Sequence, residues 1–183
     1  GALVVDSPDL GRMIAQKLGG RHYDLHAPLM VENPTVRKML IKEPSVRETI
    51  TRAKATKVAI LGISGTQDEA SSFLRAGLFS RADLSKLRSQ GAVGEICGHF
   101  FDGEGRYETF EINERIVGLD LGNLQKIPQS VAIARSVAKA PAILGALWGK
   151  FMRVLATDDR TAKAVLELAG KEGFGVRGAG FGV

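Results

Sequence analysis

The residues best suited to chemistry fall into a few groups. Gly62-Ile-Ser-Gly65-Thr66 follows an apolar run, and its glycines and hydroxyls can turn backbone N–H groups toward a phosphate. Its spacing matches neither a dinucleotide fingerprint nor a P-loop, whose lysine is missing, so an ordinary turn explains it equally well. Arg75, Arg135 and Lys139 stand beside expected strand ends or helix starts. In a doubly wound sheet those ends converge on one ligand-binding crevice, although solvated surface cations are the plain alternative. Asp158, just after the run Arg153–Ala156, suits a helix cap or a sugar hydroxyl, and capping is the simpler reading. His22, Asp24 and His26 would share one face of a strand, but histidines so placed are usually solvated or structural, and no metal is expected. Cys97 lies in an apolar run with no base near it in sequence and reads as a buried, inert thiol.

The elements that must position these residues alternate apolar runs with amphipathic stretches, the pattern of an α/β layer fold. Ser7-Pro8-Asp9 opens a helix whose Leu10, Met13, Ile14 and Leu18 recur at helical spacing before Gly19-Gly20. His22–Ala27 reads as a strand. Asn33-Pro34 and Glu43-Pro44 each start a helix. Lys57–Gly62 is the clearest strand; its branched, uninterrupted apolar character predicts a central position with both faces covered. Ser64 to Glu69 reads as a polar loop, and helical pieces follow around Ala70–Ala76 and Ala82–Ser89, the second capped by Ser80 with Asp83. Ala92–Phe101 reads as one strand, and the turn Asp102-Gly-Glu-Gly105 leads into an irregular hairpin return over Arg106–Gly118. A short helix capped by Asp120, a strand Gln129–Ala134, a helix Val137–Gly149, the strand Arg153–Ala156 and a helix from Thr161 complete the series. The sheet is expected to be mainly parallel, within three layers, α/β/α.

The composition agrees with one globular domain. Of 183 residues, 44% are hydrophobic and 25% charged, which excludes a disordered, coiled-coil or collagen-like chain. A single cysteine excludes an internal disulfide and a cysteine-rich zinc site, and fits a reducing cytoplasm. No apolar run approaches the roughly 18 residues of a membrane helix, and the first nine residues lack the features of a signal peptide. The net charge of +5 suits an anionic ligand or a nucleic-acid neighbour without deciding between them. Residues 1–170 read as the domain. Residues 171–183, with five glycines between Gly173 and Val183, read as a Gly-rich tail.

One string of residues is more specific than any of these patterns. Leu74-Arg-Ala-Gly-Leu-Phe-Ser80 and Gly91-Ala-Val-Gly-Glu-Ile-Cys-Gly-His-Phe-Phe-Asp-Gly-Glu-Gly105 resemble the effector domain of SorC-type bacterial transcription regulators. So do Arg115-Ile-Val-Gly-Leu119, Leu124-Gln-Lys-Ile-Pro128, Lys139-Ala-Pro-Ala-Ile143 and Thr157-Asp-Asp-Arg-Thr-Ala162. The resemblance runs from about Asp6 to Leu168.

The resemblance implies a fold like that of glucosamine-6-phosphate and ribose-5-phosphate isomerases, used as a receptor for a phosphorylated sugar, with no catalysis and no cofactor. It implies a homo-oligomer whose association responds to the sugar, no membrane, and DNA contact only through a separate helix-turn-helix domain. Position by position it places Arg75 near the ligand and Glu95 as acceptor for sugar hydroxyls. Lys139 becomes the point charge for phosphate, and Gly62 and Ser64 form the strand-end loop. Family domains also open with a further strand, a Gly/Thr-rich phosphate loop and a helix, which no residues here match, so the domain is expected to be N-terminally incomplete. Where the family has Gly-Gly before its lysine, this chain has Arg135-Ser136. That arginine could hold a phosphate or carboxylate bidentately, or narrow the pocket. The competing readings are a sugar-phosphate isomerase or deaminase of the same fold, and an assembly domain with a degenerate pocket.

Overall fold

A computed structural model of the protein describes residues 7–171; the remainder of the expected tail, 172–183, lies outside the described residues. In chain order the elements are α1 (Ser7–Lys17), α2 (Pro34–Leu40), α3 (Pro44–Lys54), β1 (Val58–Gly62), β2 (Ser64–Gly65), α4 (Ser72–Arg75) and α5 (Arg81–Ser89). They continue with β3 (Ala92–Ile96), β4 (His99–Asp102), α6 (Leu121–Leu124), β5 (Gln129–Ile133), α7 (Ala140–Trp148), β6 (Val154–Ala156) and α8 (Asp159–Lys171). Several boundaries follow from local chemistry. Asn33 accepts from Val36 N ahead of α2, and Asp120 accepts from Asn123 N ahead of α6. Ser80 and Asp83 form a reciprocal capping box on α5.

The class is α/β with a parallel sheet, as expected, but the strands divide between two sheets. β1, β5 and β6 form a parallel sheet in the order β1-β5-β6, and β2, β3 and β4 form an antiparallel one. The expectation of a central β1 is therefore corrected: among the described residues β5 is central and β1 is an edge. The inner face of the parallel sheet, with Ala59, Leu61, Ala132 and Leu155, packs on a core of Ile143 and Ala146 from α7, Val165 from α8, and Phe101 and Phe151. The outer face carries Val58, Ile60, Ile133 and Val154, and Ile60 is 63% exposed. The apolar run of β1 thus reflects two faces made of apolar residues, only one of which is covered among the described residues.

Three further expectations are corrected. His22–Ala27 forms no strand; His22 lies beside Gly11 of α1 and 3.5 Å from Asp24, while Arg52 of α3 sits over the Tyr23 ring at 4.5 Å. Side-chain contacts to helices, not a sheet ladder, hold this segment. Ala92–Phe101 is two strands, because Cys97 (φ 52°) and Gly98 (φ 83°) make a two-residue turn with both residues left-handed, and Ile96 pairs with His99 across it. Cys97 is accordingly exposed at the turn. Arg106–Gly118 is not a hairpin return: it runs through a 3₁₀ turn, Glu111–Arg115, and meets the N-terminal segment at the bridge Met30–Ile116 and through backbone bonds from Val31 N to Arg115 O and from Val117 N to Leu29 O.

The specific string from Gly91 to Gly105 has a physical basis at several positions. Gly91 takes φ +93 where the chain leaves α5. At Gly94 a Cβ would lie 2.5 Å from the Ala142 Cβ, so β3 packs directly on α7. Asp102 accepts from Glu104 N and Arg106 N, closing the following turn. Gly105, at φ +78, approaches Gly149 so closely that its missing Cβ would sit 2.2 Å from the Gly149 nitrogen.

Candidate functional site

The site grows from the end of β1. Immediately after Gly62 the chain leaves the parallel sheet, and Ser64-Gly65 become β2 of the antiparallel sheet, not the loop expected at Ser64. There Ser64 pairs with Glu95 and Gly65 with Gly94. The backbone N–H groups of Gly65 and Thr66 already donate to Ala70 O and Val93 O, so these two are not turned toward a ligand.

Glu95 is buried and firmly held: one oxygen accepts from the Ser72 hydroxyl at 2.7 Å, the other from Gly98 N at 3.1 Å. Ser72 reaches it because its neighbour Phe73 is locked in a second core with Phe79 and Phe100, at centroid distances of 4.8 and 5.3 Å. Sequence reasoning missed Ser72 and the Gly98 N–H. The first is 23 residues from Glu95, and no local pattern joins them.

Lys139 is half-buried at the start of α7 and donates from Nζ to Ile63 O at 2.7 Å, just beyond β1. Burial lowers its ammonium below the usual lysine range; the Arg75 charge adds to that and Glu95 opposes it. Arg75 and Glu95 therefore each lie within electrostatic reach of Lys139. The exposed Arg75 otherwise makes a long contact, 3.5 Å, to Glu69 O. Gly62 closes β1 with open space where a Cβ would point.

Arg135 and Asp158 form a second, adjoining group. Asp158 caps α8: its carboxylate accepts from Thr161 N at 2.8 Å and Thr161 Oγ1 at 3.0 Å. Those bonds, led by the backbone one, hold Asp158 below the usual carboxylate range, and Arg135 adds to them. Thr161, also missed in the sequence, is fully buried and accepts from Ser136 N at 2.9 Å. Ser136 in turn accepts from Lys139 N at 2.9 Å, so this turn joins the two groups.

Ser136 sits at φ +111 and ψ 128, a region that costs a residue with a Cβ about 1–3 kcal/mol. Replacing it by glycine relieves that strain but loosens the unfolded chain by about 0.5–1 kcal/mol. Ser136→Gly is expected to stabilise the fold by about 1 kcal/mol, read as a rise of roughly 2–4 °C in Tm. A lower Tm for this variant would mean that the turn is unstrained.

Two nearby groups are poor reagents. The protein around Cys97 and the Glu95 charge push its thiol up to about 11, although part of its surface is exposed. His99 is buried, its Nε2 has no hydrogen-bond partner, and burial brings it down to about 4, so it is neutral near pH 7. Among the described residues no group of side chains is arranged to hold a metal ion, and His22 and Asp24 simply pair.

Known proteins share this fold. The Sugar-bind family, described as "Putative sugar-binding domain", matches residues 3–167. The transcriptional regulator LsrR of an Enterobacter strain is 39% identical over 146 residues, which are 79% of this chain and 45% of that protein. The chain therefore spans less than half the length of such relatives. A domain of the same description from a Vibrio fischeri transcriptional repressor superposes with TM-score 0.81 at 32% identity, covering 93% of this chain and 68% of the other. The full-length sorbitol operon regulator SorC of Klebsiella pneumoniae gives TM-score 0.73 at 26% identity, covering 83% of this chain and 49% of the other. With the family matched from residue 3 to residue 167 and its fold shared by regulators of this kind, the chain belongs to the sugar-binding domain family of SorC-type transcription regulators.

Proposed function

We propose that this domain is the effector sensor of a bacterial transcription regulator and binds a phosphorylated sugar where the end of β1, β3 and the start of α7 meet. The observation that carries this reading is the placement of the half-buried Lys139, anchored on Ile63 O and within electrostatic reach of both Arg75 and Glu95, residues far apart in the chain. The two cations suit a phosphate. Glu95 uses one acceptor position on each oxygen and retains others for sugar hydroxyls. Gly62 and Ser64 border this cluster, and Arg135, on the adjoining turn, and Asp158, ahead of α8, suit the far end of the ligand.

A receptor is favoured over an isomerase by the neighbouring groups. An isomerase needs a second acid or base beside Glu95, and neither Cys97, whose thiol is pushed up to about 11, nor His99, brought down to about 4, suits that role at neutral pH. The named relatives are regulators. Turnover of any sugar phosphate by the pure protein, in a colourimetric isomerase assay, would overturn this reading.

In such a regulator the sugar acts by binding one subunit arrangement better than another, and so shifts the DNA affinity of a separate helix-turn-helix domain in the cytoplasm. Homo-oligomerisation is supported by the outer face of the parallel sheet, where Val58, Ile60, Ile133 and Val154 are each at least half exposed. Sedimentation is expected to show self-association that rises with concentration and falls in Ile60→Asp. A monomer throughout the accessible range would remove this part of the proposal.

A further inference from the structure

The chain's surplus of positive charge is concentrated in one place. Residues 33–57, which contain α2 and α3, hold seven Lys or Arg against two Glu, a surplus equal to the +5 of the whole chain. Part of this charge lines a cleft of about 280 Å³ between the two helices and the segment Gly118–Asp120. On α3, Arg47, Thr51 and Lys54 stand at i, i+4 and i+7 and share one face, which borders the cleft. Arg37 of α2 closes it, and its Nε donates to Ile116 O, which orients the guanidinium.

None of Arg37, Arg47 and Lys54 forms an ion pair among the described residues, although Arg52 on the same helix pairs with Glu48. The carboxylate that borders the cleft, Asp120, has both oxygens accepting from Asn123 at the start of α6, and its charge also interacts with that of Lys54. Gly118 adds no side chain, and open space stands where its Cβ would be. Three cations against one carboxylate leave a local charge of +2. A phosphate monoester carries about −1.5 to −2 at pH 7, which that charge balances.

We infer that this cleft is a second anion site, in which Arg37, Arg47 and Lys54 hold a phosphate group. The guanidinium groups offer paired N–H donors that match phosphate oxygens, and Lys54 adds a point charge. The phosphate belongs to a small phosphorylated molecule or to a nucleic-acid backbone. The inference does not depend on the proposed sugar site, because it uses none of that site's residues.

The test is an NMR titration of the protein with inorganic phosphate, with sodium chloride at matched ionic strength as control. Saturable shifts are expected at the amides of Arg47, Lys54 and Gly118, unchanged in Lys139→Ala. The affinity should weaken at least about tenfold in the double variant Arg47→Gln/Lys54→Gln, which loses two charge-assisted contacts. Shifts that chloride reproduces, or that the double variant retains, would overturn the inference. A parallel titration with a scrambled-sequence DNA duplex identifies the source. Shifts at the same amides at far lower concentration assign the nucleic-acid backbone, and amides that respond to phosphate alone assign a small molecule. Loss of the sugar response in Lys139→Ala with these shifts intact separates the two sites.

Discussion

Lys139→Ala is expected to weaken the binding of a phosphorylated sugar by about 1.5–3 kcal/mol, the range for a hydrogen bond to a charged group, and to leave the unphosphorylated sugar nearly unaffected. The expectation rests on placement. Lys139 is half-buried, anchored on Ile63 O, and shares its surroundings with Arg75 and Glu95. Partial burial strengthens its interaction with a dianion relative to a fully solvated lysine. Glu95→Gln behaves differently. It removes the acceptor charge while keeping the shape, and so weakens both forms of the sugar by similar amounts. Isothermal calorimetry with the paired sugars reads both variants directly. Equal losses for the two sugars in Lys139→Ala would show that the lysine does not meet the phosphate.

Gly94→Ala is expected to destabilise the fold by about 1–3 kcal/mol, the usual effect of forcing a methyl group into a packed interior. The added Cβ would stand 2.5 Å from the Ala142 Cβ and 3.0 Å from both the Phe101 ring and Ser64 O. Ala142 is on α7 and Ser64 O is backbone, so whole elements must separate. That separation also moves Ser64 and Glu95, which pair beside Gly94, and sugar affinity falls along with stability. Urea unfolding measures the first effect as a lower midpoint. Ala142→Gly supplies the control: it costs a helix about 1 kcal/mol alone, but beside Gly94→Ala it removes the closest clash. A favourable coupling in the double-mutant cycle is the expected outcome. Independent, additive losses would place the strain elsewhere.

Much of this protein was legible in its sequence, and what was legible is mostly local. Asn33, Ser80, Asp120 and Asp158 cap helices through bonds to residues three positions on, so residue type and spacing sufficed to find them. The apolar runs of β1, β5 and β6 announced strands, and the string from Gly91 to Gly105 announced the family. Tertiary structure alone decided the rest. An apolar run is the same string of letters at a sheet's edge as at its centre, so the order β1-β5-β6 and the exposure of Ile60 depend on which strands pair. His22–Ala27 has the composition of a strand, but contacts with α1 and α3 hold it out of any ladder. Cys97 is a poor advertisement for a left-handed turn, and only the pairing of Ile96 with His99 puts it there. The site itself joins Ser72 to Glu95 across 23 residues and Ile63 to Lys139 across 76. Hydrogen bonds of that span leave no periodic trace in a sequence, because they form only after separate elements have packed around Phe73 and along Gly94.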